Sequence, residues 1–326
     1  MSKRIAVVGL GDIAQKAYLP VLAAHRDIDL VGIMGRHADK VQSIGEQYRI
    51  SGRFTDLDRL LDEQPELVFI HTATESHYEL VMRCLSRGIH VYVDKPLSYD
   101  ISQSEEMAAE ALRTGKLLAV GFNRRFAPMV ERSRQWVEAA GGAETILVQK
   151  NRTKLQQRSA IESLYDDAIH SIDLALWLGT PGNLRMNGDS DAFASPGLDM
   201  ELAAHTLREN KEGRLLSVFG MLRSPQPGRT SVFSMERRAG TDSERVELHG
   251  HGRTAIVQDL EQAVLTDPDS GGQTLNFGGW DSHLYRRGFI GIIQHVLQSI
   301  DDPSLCTIRA DLVLPGHRLV EALINP

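Results

Sequence analysis

Residues 5–14 read IAVVGLGDIA. An apolar burst stops at Gly9, and a Gly-x-Gly-x-x-Ala pattern made of Gly9, Leu10, Gly11, Asp12, Ile13 and Ala14 runs straight into helical periodicity. In a strand-loop-helix unit the first glycine makes the tight turn and the second lets the backbone approach a pyrophosphate. The third small residue lets the helix pack closely on the strand. The helix N-terminus adds free N–H groups and a positive dipole end. Six residues alone are a weak signal, but their place after an N-terminal strand makes them a candidate dinucleotide loop.

Further apolar bursts follow at 30–34, 67–72, 89–93 and 117–122, separated by stretches of 3.6-residue periodicity at 13–24, 38–48, 77–87 and 102–114. Strands apolar throughout and separated by amphipathic helices predict a doubly wound α/β domain with a parallel sheet covered on both faces. After about residue 123 the texture changes. One strong helical pattern at 161–178 precedes short alternating segments over 182–266, among them RLLSVFGM (214–221), TSVFSME (230–236) and RVELHG (245–250). SPQPGR (224–229) and RRAGTDS (237–243) punctuate them. Alternation between turn residues predicts a large, mostly antiparallel sheet with one face solvated or covered by another subunit. The expected domains are 1–122 and 123–326, and the helical patterns at 286–300 and 311–324 leave the C-terminal helix able to pack back on the first domain.

Composition narrows the class. The chain has 326 residues, and a soft prior of roughly 100–200 residues per domain suggests two. A formal charge of −7 argues against a nucleic-acid partner, so Arg124-Arg125, Arg237-Arg238 and Arg286-Arg287 read as solvated or site-specific charges. Two cysteines, Cys84 and Cys306, are too few for a disulfide framework and point to a reduced, cytoplasmic protein. The N-terminal apolar run is shorter than the roughly 7–15 residues of a secretory segment, and no run approaches the ~18 of a membrane span.

Where an acid would bind a ribose 2′-hydroxyl, the second strand ends in Gly35-Arg36-His37. An arginine with no acid beside it suits a 2′-phosphate, which favours NADP over NAD; stacking of Arg36 on adenine would serve either cofactor. In LYDDAIHSIDLALWLG (164–179) Asp166 and His170 are four apart and share a helical face, with Asp173 three further on. A histidine held by a carboxylate is a competent general base; a half-buried structural histidine anchored by Asp173 is the duller reading. Lys95, in VYVDKPLS (91–98), stands just past a central strand on the same edge as the Gly9–Ala14 loop, where open sheets bind ligands. It can donate to a substrate hydroxyl, or simply end a strand at the surface. Lys150 and Arg152 alternate along a strand, facing either an acidic sugar or solvent.

VDKP, the Gly-x-Gly-x-x-Ala loop, HTATESH (71–77), GFNRRFAP (121–128) and Asp166-x-x-x-His170 together resemble the glucose-fructose oxidoreductase, inositol dehydrogenase and MocA family. VDKPL, DDAIHSIDLALWL and RRAG are most similar to its MviM-type branch. The resemblance implies a Rossmann domain followed by an α/β domain whose large open sheet commonly joins dimers or tetramers. It implies that Lys95, Asp166 and His170 surround the nicotinamide and the reacting carbinol of a sugar, cyclitol or polyol. It also implies that Thr72, Thr74 and His77 lie beside the cofactor, with Asp94 at the usual glutamate. Asp94, Ala73, Thr74 and Ala168 depart from the family pattern. The expected function is an NAD(P)-dependent oxidoreductase acting on a secondary alcohol. The alternatives are a non-catalytic dinucleotide sensor and a sugar-modifying enzyme that reduces and reoxidises a retained cofactor.

Overall fold

In the computed structural model, residues 2–180, 200–224 and 228–325 are described; 182–199 of the alternating stretch and 225–227 of its SPQPGR turn lie outside them. Six parallel strands, β1 (Lys3–Val8), β2 (Ile28–Met34), β3 (Arg53–Phe54), β4 (Leu67–Ile70), β5 (His90–Val93) and β6 (Leu118–Val120), form a sheet in the order β3-β2-β1-β4-β5-β6. All four residues of β4 are buried, as is required of a strand covered on both faces. The strand order reverses between β1 and β4, and in such sheets the crevice at that point takes the ligand. The two-residue β3 and the helix Leu57–Leu61 escape the sequence reading because they are shorter than any period that reveals them.

A second sheet has eight strands: β7 (Thr145–Asn151), β8 (Glu201–Glu209), β9 (Leu215–Arg223), β10 (Thr230–Glu236), β11 (Ser243–Gly250), β12 (Arg253–Gln258), β13 (Gln262–Asp267) and β14 (Gly271–Asn276). Their order is β14-β13-β12-β11-β7-β10-β9-β8, antiparallel except for the central pair β7 and β10. The expected α/β architecture is therefore present, with the mostly antiparallel second sheet. On one face the helix Ile169–Gly179, buried along its whole length, packs against β7 and β10, and Pro128–Glu138 packs against β11, β12 and β13. The latter helix went unseen in the sequence because its apolar stripe is narrow: Met129, Val130 and Val137 are buried amid Glu131, Arg132, Arg134 and Gln135.

The chain divides into two compact units, Met1–Gly121 with Phe289–Leu314, and Phe122–Gly288 with Pro315–Pro326. The helix Ala310–Ile324 carries the last crossing, at Pro315 within it. Among the described residues no helix is long and apolar enough to cross a membrane.

Candidate active site

In the first unit the site begins at Gly9. Its φ of +89° is costly for any side chain, and a Cβ there would lie 2.6–2.7 Å from the backbone of His71 and Thr72. Only glycine lets the loop after β1 close on the loop after β4. At Gly11 a Cβ would meet nothing nearer than 3.9 Å, so that side of the loop is open. A cavity of about 640 Å³ lies against it, lined by Gly9, Gly11, Arg36, Lys40, Thr72 and Ser76 among others. Exposed glycine backbone at one end and cations at the other fit the pyrophosphate and adenosine of a dinucleotide.

The remaining residues expected at the cofactor do not line this cavity. Ala14 is buried and opens a wide helical turn, Ala14–Tyr18, in which Leu19 N–H bonds Ala14 C=O five residues back. Asp12 is exposed and paired with Lys16 at 2.6 Å. Thr74 and His77 are buried. His77 Nδ1 lies 2.9 Å from the Pro96 carbonyl and Nε2 lies 3.3 Å from that of Thr72, so the imidazole ties the loop after β4 to the loop that carries Lys95. Burial pushes the His77 pKa down, which makes Nδ1–H the donor in the shorter contact. Lys95 N–H donates to Asp94 Oδ1 at 3.0 Å, and the Lys95–Pro96 bond is cis.

Beneath these loops lies His71, a residue not singled out in the sequence. Its ring packs 4.0 Å from that of Tyr18, and Nδ1 is 4.0 Å from Asp94 Oδ2. Neither ring nitrogen has a hydrogen-bond partner among the described residues. Burial pulls its pKa down to about 3, and burial also pushes the Asp94 carboxyl above the usual range despite the Lys95 charge. Of the other lining residues that went unremarked, Lys40 carried the clearest signal, a second cation four residues past Arg36.

In the second unit the helix that bears His170 begins with another wide turn, Leu164–Ala168, in which Ile169 N–H bonds Leu164 C=O. Asp166 lies within that turn, and His170 lies in the α-helix that follows it. His170 is 7% exposed and meets Phe122 edge-to-face, with ring centres 6.3 Å apart. Asp166 Oδ2 accepts from Arg158 at 2.7 Å. Asp173, weighed above as the anchor of the imidazole, gives both carboxylate oxygens to Arg125. That buried pair serves the core, since either charge alone would be costly there.

Comparison with known proteins extends this picture. A family model described as the oxidoreductase family with an NAD-binding Rossmann fold matches residues 3–122, and a YceM-like C-terminal domain model matches 132–267. YceM of Salmonella typhimurium, named as an oxidoreductase, is 31% identical over 98% of this chain and 96% of its own length. The chain belongs to the Gfo/Idh/MocA oxidoreductase family. Among solved structures, the dehydrogenase MviM from Clostridium difficile superposes with a TM-score of 0.86 at 30% identity, over 100% of this chain and 99% of that one. UDP-N-acetylglucosamine 3-dehydrogenase of Acidithiobacillus ferrooxidans is a more distant relative, 25% identical over 77% of this chain and 78% of its own.

The buried His71 has a measurable consequence. An unfolded chain protonates histidine near pH 6.5, whereas the folded chain keeps His71 neutral down to about pH 3. Its contribution to stability is therefore intact above pH 6.5 and declines as the pH falls below it. In chemical denaturation, wild type should lose about 2 kcal/mol more than His71→Phe between pH 7 and pH 5. Parallel pH profiles would exclude a neutral buried His71.

Proposed function

We propose that this member of the family is an NADP-preferring oxidoreductase acting on the secondary alcohol or ketone of a sugar, cyclitol or related polyol. The observation that carries the cofactor reading is the cavity end beside β2, where Arg36, His37 and Lys40 stand together and no carboxylate of β2 or its loop joins the lining. Cations there suit a 2′-phosphate and leave a free ribose hydroxyl without its usual acidic acceptor. Gly9, Gly11 and Thr72 would hold the pyrophosphate side. Asp12, Ile13, Ala14, Thr74, His77 and Asp94 would act by shaping the loops that do so.

When bound, the nicotinamide exchanges a hydride with the carbinol carbon. His170 takes the proton of the reacting hydroxyl in oxidation and returns it in reduction. Lys95 donates a hydrogen bond to that oxygen and polarises it. Asp166, held by Arg158, orients the substrate. The matched family positions of these three residues support the roles, as do the sugar-nucleotide substrate named for the Acidithiobacillus relative and the local geometry of each half. A cytoplasmic setting is part of the proposal. Cys84 and Cys306 are buried thiols, each pushed up to about 12 by that burial, and a reducing compartment keeps them so.

Steady-state kinetics should show a KM for NADPH at least about tenfold below that for NADH, because a 2′-phosphate adds charge-assisted hydrogen bonds; an NADH preference would overturn the NADP assignment. Lys95→Ala should lower kcat about 100-fold or more while NADPH still binds by fluorescence. Near-wild-type turnover would remove Lys95 from the chemistry. Nucleotide binding by wild type with no turnover of any sugar or polyol would favour the sensor.

We further propose that two copies pair through the outer face of the eight-stranded sheet. Met221, Val232 and Leu147 are register neighbours there, and beyond Glu247 the row continues through Ile256 and Val264. All are partly exposed, and Phe219 is 41% exposed beside them. Val232→Glu would put a charge in the middle of that band. Sedimentation should find wild type dimeric or tetrameric and the variant monomeric; a monomeric wild type would refute the pairing.

A further inference from the structure

In the second unit the wide turn Leu164–Ala168 is fastened residue by residue. Tyr165 Oη donates to Glu321 Oε1 of the last helix at 2.7 Å, and Asp166 accepts from Arg158 at 2.7 Å. Asp167 is held through both its carboxylate and its carbonyl, and the Ala168 carbonyl accepts from Ser171 Oγ at 2.8 Å. Turns of this width are rare and frequently sit at functional sites. This one carries Asp166 and runs directly into the helix of His170.

The hold on Asp167 comes from the sheet below it. Inward residues of β7 alternate as Ile146, Val148 and Lys150; those of β10 include Phe233 and Met235, with Arg237 next in the same alternation. The two strands run parallel, and the helix Ile169–Gly179 packs across both. Each inward row thus starts apolar and ends in a cation at Asp167. Lys150, 2% exposed, ion-pairs with the Asp167 carboxylate and donates to the Asp167 carbonyl at 2.9 Å. Arg237 pairs with the same carboxylate, and Arg152 Nε stands 3.6 Å from it. A lysine buried on an apolar row is costly, and the carboxylate alone does not require it, because two guanidinium groups already face it. Lys150 is the one described side chain that bonds the Asp167 carbonyl. Burial pushes the Lys150 ammonium well below its usual pKa, and a neutral amine would still donate that bond.

We propose that Lys150 is a positioning residue for the reaction. By tying the Asp167 carbonyl and carboxylate to the end of β7 it fixes the wide turn, and so sets where Asp166 and His170 stand. The inference rests on the roles proposed above for Asp166 and His170. Because Asp167 is committed to the sheet, its neighbour Asp166 is left to Arg158, with its side chain 20% exposed.

Lys150→Met keeps the side-chain length and removes the donor. The variant should fold, because Arg237 and Arg152 still face Asp167 and Arg124, Arg152 and Arg287 still face Glu244. On whichever sugar or polyol wild type oxidises, its kcat should fall about tenfold or more, as expected of a small misplacement of reacting groups. Its Kd for NADPH should not change. Histidine NMR of the full chain supplies a readout that needs no turnover. The His170 ring signals, assigned by their loss in His170→Asn, should move and titrate at a different pH in Lys150→Met, while those of His71 and His77 in the first unit should not. Lys150→Arg, which can donate to both the carbonyl and the carboxylate, should recover most of the lost kcat. A merely structural lysine would lower Tm yet leave the His170 signals and the pH profile of kcat in place, and that result would overturn the inference. If Lys150→Met does not fold, Lys150→Gln, polar but one bond shorter, is held to the same criteria. Wild type that turns over no sugar or polyol would refute the proposed function, and the His170 signals would still decide whether Lys150 positions that ring.

Discussion

The approach of Gly9 to the His71–Thr72 backbone is the contact on which the first unit turns. The two central strands can carry their exit loops this close only because position 9 lacks a Cβ and accepts a positive φ. The same closeness seals His71 from water, sets its ring against Tyr18 and faces it to Asp94. Asp94 in turn bonds the Lys95 amide, and His77 clamps the next carbonyl. The loop of the lysine proposed for catalysis is thus fixed by Asp94 and His77, with the neutral His71 ring beside Asp94. Neutral groups suit that place, because a second cation there would oppose the Lys95 charge.

The second unit is organised by charge. Three doublets of arginine in the sequence resemble surface basic patches, yet five of those six side chains are spent on carboxylates: Arg124 and Arg287 on Glu244, Arg125 on Asp173, Arg237 on Asp167, and Arg286 on Glu261. Each of these five guanidinium groups thus has an acidic partner within the second unit. The same pairing gives Lys150 and Arg152 a firm place. They do point to one face, as their alternation implied, and Lys150 is buried, so the solvated-face reading fails for it.

Family membership and local geometry speak to different questions. Similarity along nearly the whole chain establishes an oxidoreductase with an NAD-binding Rossmann fold. The cations beside β2 are local geometry, and the proposed preference between NAD and NADP rests on them.

Elements with a strong local period were legible in the sequence alone: the apolar strands of the parallel sheet, the glycine loop at its head, the alternating strands of the second sheet and the buried helix after His170. Each depends on side chains a few residues apart, so backbone sterics and burial suffice to specify it. Elements too short or too polar to show a period, such as β3 and Pro128–Glu138, were not. Nor could spacing reveal that Asp173 serves Arg125, 48 residues away, or that Arg124 meets Glu244 across 120. Helical periodicity also did not show the wide turns at Ala14–Tyr18 and Leu164–Ala168. The sequence by itself determined which segments become strands and helices and which residues could do chemistry. Only the tertiary structure decided which charges neutralise one another, because that depends on distances between residues remote in the chain.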